Sequence, residues 1–175
     1  MGLLEPHVRR RRAVRPHGLT AVVEASITTP PSALSTRPRI VVHSLNHARV
    51  ALLAAAEAGE EIVLASAPGA ASHVGPGWFR AVVEAARKAA PEVCCIALLD
   101  CGDDAGSAAI SLAAGIGVRF TGHRGAAARL ADIAATGCVP FDPGTPLPER
   151  VLDLAGMSDP AASCRDFLAR NRTAG

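Results

Sequence analysis

The sequence predicts an α/β protein with a parallel sheet of about five strand–helix units. Three observations carry this. Short apolar runs alternate with longer helical segments, the links between them are brief, and the run Ile96 to Gly102 ends an apolar strand on a carboxylate and a thiol. Strands that alternate with helices across short links pair in parallel through right-handed crossovers. Ligands in such sheets bind beyond the carboxyl ends of the strands, which places Asp100 and Cys101 at the expected site.

The elements follow in order. Arg39 to Ser44 is a β-rich run, and Asn46 to Ala58 is rich in helix formers and closes on Gly59, a natural left-handed cap. Glu61 to Ala67 is the second strand. After the loop Pro68 to Gly77, the residues Trp78, Val82, Ala85, Ala86 and Ala89 recur at helical spacing. Arg80, Glu84, Arg87 and Lys88 mark the wet face of that helix, and Pro91 ends it. Val93 to Asp100 is apolar enough to be buried on both faces, and Gly102, Asp103 and Asp104 supply a turn and an N-cap. A small-residue helix from Asp104 to Ala114 stops at Gly115 and Gly117. Val118 to Thr121 is the fourth strand; Ala126, Leu130, Ile133 and Ala134 line the inner face of the fourth helix, which Gly137 ends; Cys138 to Phe141 is the fifth strand. The sheet can curl as a partial TIM-like barrel or lie open in the manner of a flavodoxin.

The organisation has three parts. Residues 1–38 read as a disordered basic arm, with Arg9 to Arg12, Arg15 and His17 among prolines; 39–143 form the core; 144–175 form a linker with Pro146 and Pro148, then short helices around Val151 and Leu154 and around Cys164, Phe167 and Leu168. With 175 residues and 49% apolar content, the chain is large enough for one sizeable core. The net charge of +2 comes with no aromatic residues interleaved in the arm, so nucleic-acid binding is not expected. No apolar run has the length of a membrane span, and the expected location is the cytoplasm. Five cysteines, an odd number without CxxC spacing, argue against a disulfide framework and a zinc knuckle.

Chemistry-bearing residues cluster at the strand ends. His43 ends the first strand, His73 follows the second, and His123 follows the fourth. With Cys101, His43 and His123 could hold zinc, since imidazole and thiolate both suit that ion. The plain alternative is that each histidine is a loop residue making an ordinary hydrogen bond. The loop Gly69 to Gly77 could present backbone N–H groups to a phosphate, although it lacks a Walker lysine.

Asn46 with Ala54 to Glu57, then Ile62-Val63-Leu64, Ser66, Gly69-Ala70 and Leu99-Asp100-Cys101-Gly102 resemble, in order and spacing, the first half of the class II fructose-bisphosphate and tagatose-bisphosphate aldolases. Ala114-Gly115 before Val118 to Gly122 resembles their fourth unit. The resemblance implies a barrel-derived fold, Asp100 as the acid/base carboxylate, and Cys101 at the position of a zinc-ligating histidine. The family's other two histidine ligands and its phosphate loops belong to a later half of the barrel that has no counterpart here. A full barrel takes about 250 residues, so ordinary metal-dependent aldol cleavage by this chain alone is not expected.

Two functions follow as expectations. One is a shortened aldolase-like carbon–carbon lyase acting on a small carbonyl or phosphorylated compound, with Asp100 and Cys101 catalytic. The other is a noncatalytic metabolite-binding or regulatory module derived from the same fold. In either, Asn46, Ser66, Gly69 and His73 are the candidate ligand-binding residues, and zinc is the candidate cofactor. A sheet with uncovered face and edges would favour a homo-oligomer. A phosphoacceptor resembling response regulators is disfavoured, because no acidic pair follows the first strand.

Overall fold

The computed structural model describes residues 31–144 and 150–172. Six strands, β1 (Arg39–Val42), β2 (Ile62–Ser66), β3 (Cys95–Asp100), β4 (Val118–Arg119), β5 (Phe141–Asp142) and β6 (Val151–Asp153), form one sheet in the order β5-β4-β3-β2-β1-β6. Every pairing is parallel. The helices are α1 (Pro31–Thr36), α2 (Leu45–Ala58), α3 (Ala71–Arg87), α4 (Ala105–Ala113), α5 (Arg124–Gly137) and α6 (Pro160–Arg172). Ser44 caps α2 by accepting from the His47 N–H, and Gly59 ends it at φ 65°, as the sequence predicts. None of the described helices is long and apolar enough to cross a membrane.

From β1 to β5 each crossover steps to the next strand in the same direction. Right-handed crossovers that never reverse lay their helices on one face. Accordingly α2 packs on α3, α3 on α4, α4 on α5, and α6 packs on the far side of α2, so the helix order repeats the strand order. Ile40, Val42, Ile62 and Leu64 face this layer and meet Leu52, Ala55 and Leu168. Leu99, Val118 and Phe120 do the same farther along, against Phe79, Leu112 and Leu130.

The opposite face is concave. Register carries Arg39 across to Val63 and then to Ile96, and carries Asp100 across to Arg119 and then to Asp142. Asp142 therefore lies four strands over and four residues up from Arg39. In a flat sheet four strand spacings alone would separate them by about 19 Å, beyond any arginine's reach. Yet Arg39 Nη2 donates to Asp142 Oδ2 at 2.8 Å. The sheet must curl to bring them together, and a stagger of one residue per strand is that of an eight-stranded barrel. Between the curled and flat alternatives the structure selects the curled one, open between β5 and β6 among the described residues.

Four expectations are corrected. The arm does not extend unstructured to residue 38, because Pro31–Thr36 form α1, whose buried Leu34 packs on Val63, Ile96 and Leu98 inside the curl; residues 1–30 lie outside the described residues. Val151–Asp153 is a strand, not a helix: a short apolar run has no decisive period of its own, and pairing with β1 decides it. Trp78 and Ile133 are exposed rather than inward. For Trp78 the cause is local, since Gly75 at φ 71° and Pro76 break α3 after its first turn and reset the phase so that Phe79, Val82, Val83 and Ala86 face in. Cys138 does not open the fifth strand; it caps α5 in the left-handed region at φ 51°. The linker prolines Pro146 and Pro148 fall outside the described residues.

Candidate functional site

Alternation along β3 decides which strand-end side chains reach the concave face. Ile96 and Leu98 point inward, and so does Asp100. Its Oδ1 accepts from the Gly69 N–H at 2.8 Å and the Gly102 N–H at 3.0 Å. Both glycines hold positive φ, 64° and 55°, a region glycine enters without the steric cost of a Cβ. Ser66 braces the strand from β2, its Oγ accepting from the Asp100 N–H at 2.9 Å and donating to the Ala67 carbonyl at 3.1 Å.

From Asp100 a line of alternating charges descends into the curl. Arg119 Nε lies 3.3 Å from Asp100 Oδ2, and Arg119 Nη1 lies 3.8 Å from Asp142 Oδ2. Asp142 also accepts from the Gly144 N–H at 3.0 Å and from Arg39 at 2.8 Å. Side-chain exposure falls from 13% at Arg119 and 11% at Asp100 to 5% at Asp142 and 3% at Arg39. The upper pair thus sits at the mouth, and the lower pair is shut inside. Arg39 ends the line with Nε and Nη1 buried and, among the described residues, without a hydrogen-bond partner. Buried donors are nearly always paired, so two on one guanidinium mark a place where an acceptor belongs.

Most of the other expected site residues are elsewhere. Cys101 alternates to the helix side of β3, where it is buried beside Leu112 and Phe120, with Sγ 3.8 Å from the Leu99 carbonyl. Burial pushes its thiol up to about 11. At pH 8 about one molecule in a thousand would then carry the thiolate, the reactive form. Native protein is expected to leave Cys101 unalkylated by iodoacetamide while exposed Cys138 reacts; peptide mapping that found Cys101 modified as fast as Cys138 would contradict this placement.

The histidines have separate partners. His43 Nε2 contacts Asp153 Oδ1 at 2.7 Å, while its backbone N–H donates to His47 Nδ1 at 3.4 Å. His73 Nδ1 lies 3.1 Å from the Gly69 carbonyl, and His123 caps α5 by accepting from the Gly125 N–H at 3.0 Å. Asn46 is exposed on the first turn of α2. Among the described residues no three His, Cys, Asp or Glu side chains converge as metal ligands, so the expected zinc set of His43, Cys101 and His123 is not assembled. Of the expected site residues, Asp100, Ser66 and Gly69 do come together, with His73 against the Gly69 carbonyl.

Arg39, Arg119 and Asp142 were not expected as site residues, although a signal for them exists. Each puts a charge at the end of an apolar strand, Arg39 opening β1, Arg119 closing β4 and Asp142 closing β5, and a buried charge requires a partner. No family model matches the chain, and no curated protein matches it.

Proposed function

We propose that this chain is a small-molecule-binding module on a partial barrel, receiving a carboxylate or carbonyl group of a small metabolite at the mouth of the curled sheet. Arg119 presents the ligand's first donors, and Arg39 supplies the buried ones. The observation that carries this reading is the pair of unpartnered Arg39 donors at the foot of the charge line. A buried donor without an acceptor costs about 1–3 kcal/mol, and a ligand oxygen, or water in its absence, removes that cost.

The lyase reading has less support. An acid/base carboxylate must be free to meet substrate, whereas both oxygens of Asp100 already face donors from Gly69, Gly102 and Arg119. In this reading Asp100 positions Arg119. Zinc draws no support from this arrangement, because His43, Cys101 and His123 have separate partners. The edges β5 and β6, two and three residues long, give a second copy, the other partner expected, little to pair with.

Thermal unfolding in pyruvate tests the proposal, with acetate as the probe lacking the carbonyl. Pyruvate at a hundredfold its Kd would add about 2.7 kcal/mol, or about 5–10 °C in Tm for a chain of this size. Arg39→Met is expected to abolish that rise while keeping a cooperative transition, since Asp142 retains Arg119 and the Gly144 N–H. If neither probe raises Tm, or if the rise survives Arg39→Met, the reading fails.

A further inference from the structure

A cleft of about 240 Å³ lies at the other end of the sheet, where the strands begin. Its floor comes from the chain just before and within the starts of β3, β4 and β5, and one wall is the face of α3 that carries Phe79 and Val83. Gly115 and Gly117 leave part of that floor as bare backbone, and Ile116 adds an apolar surface. None of the four residues of the charge line at the mouth borders this cleft.

Three arginines line it, from two parts of the chain. Arg37 precedes β1, whereas Arg80 and Arg87 stand two turns apart on α3. Each is anchored through Nη2: Arg37 to the Glu61 carboxylate, Arg80 to the Ala114 carbonyl, and Arg87 to the Cys95 carbonyl at 2.9 Å. Anchoring one nitrogen fixes the plane of a guanidinium while the rest of its donor fork stays available, so little further entropy is lost when an anion binds. Glu84 lies between Arg80 and Arg87 in the same lining. With Glu61 it offsets two of the three positive charges, which leaves the cleft net positive.

We propose that this cleft binds a small phosphate monoester, its phosphate between the three guanidinium groups and its apolar body against Phe79, Val83 and Ile116. Phosphate suits the arrangement better than carboxylate. Three forks, one from the segment before β1 and two from α3, offer donors enough for three terminal oxygens, whereas a carboxylate offers two in one plane. This site is independent of the one at the mouth.

Cys94 provides the readout, because it lines the cleft and is exposed, while Cys138 is exposed at the end of α5 outside it. Burial and the Glu61 charge push the Cys94 thiol up, so labelling with iodoacetamide is best followed at mildly alkaline pH. Phenyl phosphate at ten times its Kd is expected to slow alkylation of Cys94 about tenfold by mass action and to leave Cys138 unchanged. Inorganic phosphate should protect more weakly, and benzyl alcohol, which has the apolar body alone, should not protect. Arg80→Gln combined with Arg87→Gln, both exposed positions, should remove the protection, whereas Arg39→Met at the foot of the charge line should preserve it. The proposal is overturned if phenyl phosphate fails to slow Cys94 relative to Cys138, if benzyl alcohol protects equally, or if protection survives the double substitution.

Discussion

Asp142→Ala is expected to lower the unfolding free energy by about 3–5 kcal/mol, the loss typical when one partner of a buried ion pair is removed. Among the described residues Asp142 is the only acceptor for the Arg39 guanidinium, and it also faces Arg119. Without it the Arg39 guanidinium stays almost completely buried with no carboxylate beside it, and Arg119 at the mouth keeps only Asp100. The loss arises from stranding the Arg39 charge more than from the strength of the pair itself. A second variant separates the two: Arg39→Met with Asp142→Leu removes both charges and is expected to recover most of the stability. Urea denaturation of the three proteins measures this. An alanine variant within about 1 kcal/mol of the parent would mean that Arg39 finds another acceptor, and the account of the charge line would be wrong.

Leu154→Ala is expected to cost about 2–5 kcal/mol, as for other fully buried leucines. Leu154 follows β6 and is inaccessible to solvent, packed in the cluster that holds Ile40, Leu52, Cys164 and Leu168. Its backbone N–H donates to the Val41 carbonyl at 3.1 Å, which continues the β6–β1 ladder. The substitution should destabilise the whole fold as one unit. Trp78, the single tryptophan, lies on α3, away from the substitution, so its fluorescence and the far-ultraviolet circular dichroism should report one coincident transition. Two separate transitions, or a loss below about 1 kcal/mol, would show instead that β6 and α6 form an appendage.

These two experiments bear on different kinds of information in the chain. The first five strands and the helices between them were legible because each carries a local signal. Gly59 and Asp104 show why such signals hold: a left-handed cap and an N-cap aspartate act through backbone groups only a few residues away, so little from outside can override them. Asp100 was legible for a similar reason. A carboxylate closing an apolar strand, followed by a glycine turn, is a local pattern, and the structure places it at the mouth.

Other features could not be read in the same way. Trp78 was assigned inward from helical spacing, but the break at Gly75 shifted the phase by an amount that spacing alone does not reveal. Val151–Asp153 became a strand because β1 had an unpaired edge to offer, which depends on residues more than a hundred positions earlier. Cys101 fell on the helix side because the strand period that turns Asp100 inward necessarily turns its neighbour outward.

By itself, then, the sequence determined the parallel α/β class, most element boundaries to within a few residues, and the strand end that carries Asp100. Only the tertiary structure decided that the sheet curls, that Arg39 meets Asp142 across four strands, and that three arginines share one cleft. The physical reason is range: caps, turns and side-chain periods are set by neighbours in the chain, whereas curl and the meeting of distant charges depend on how every strand staggers against the next.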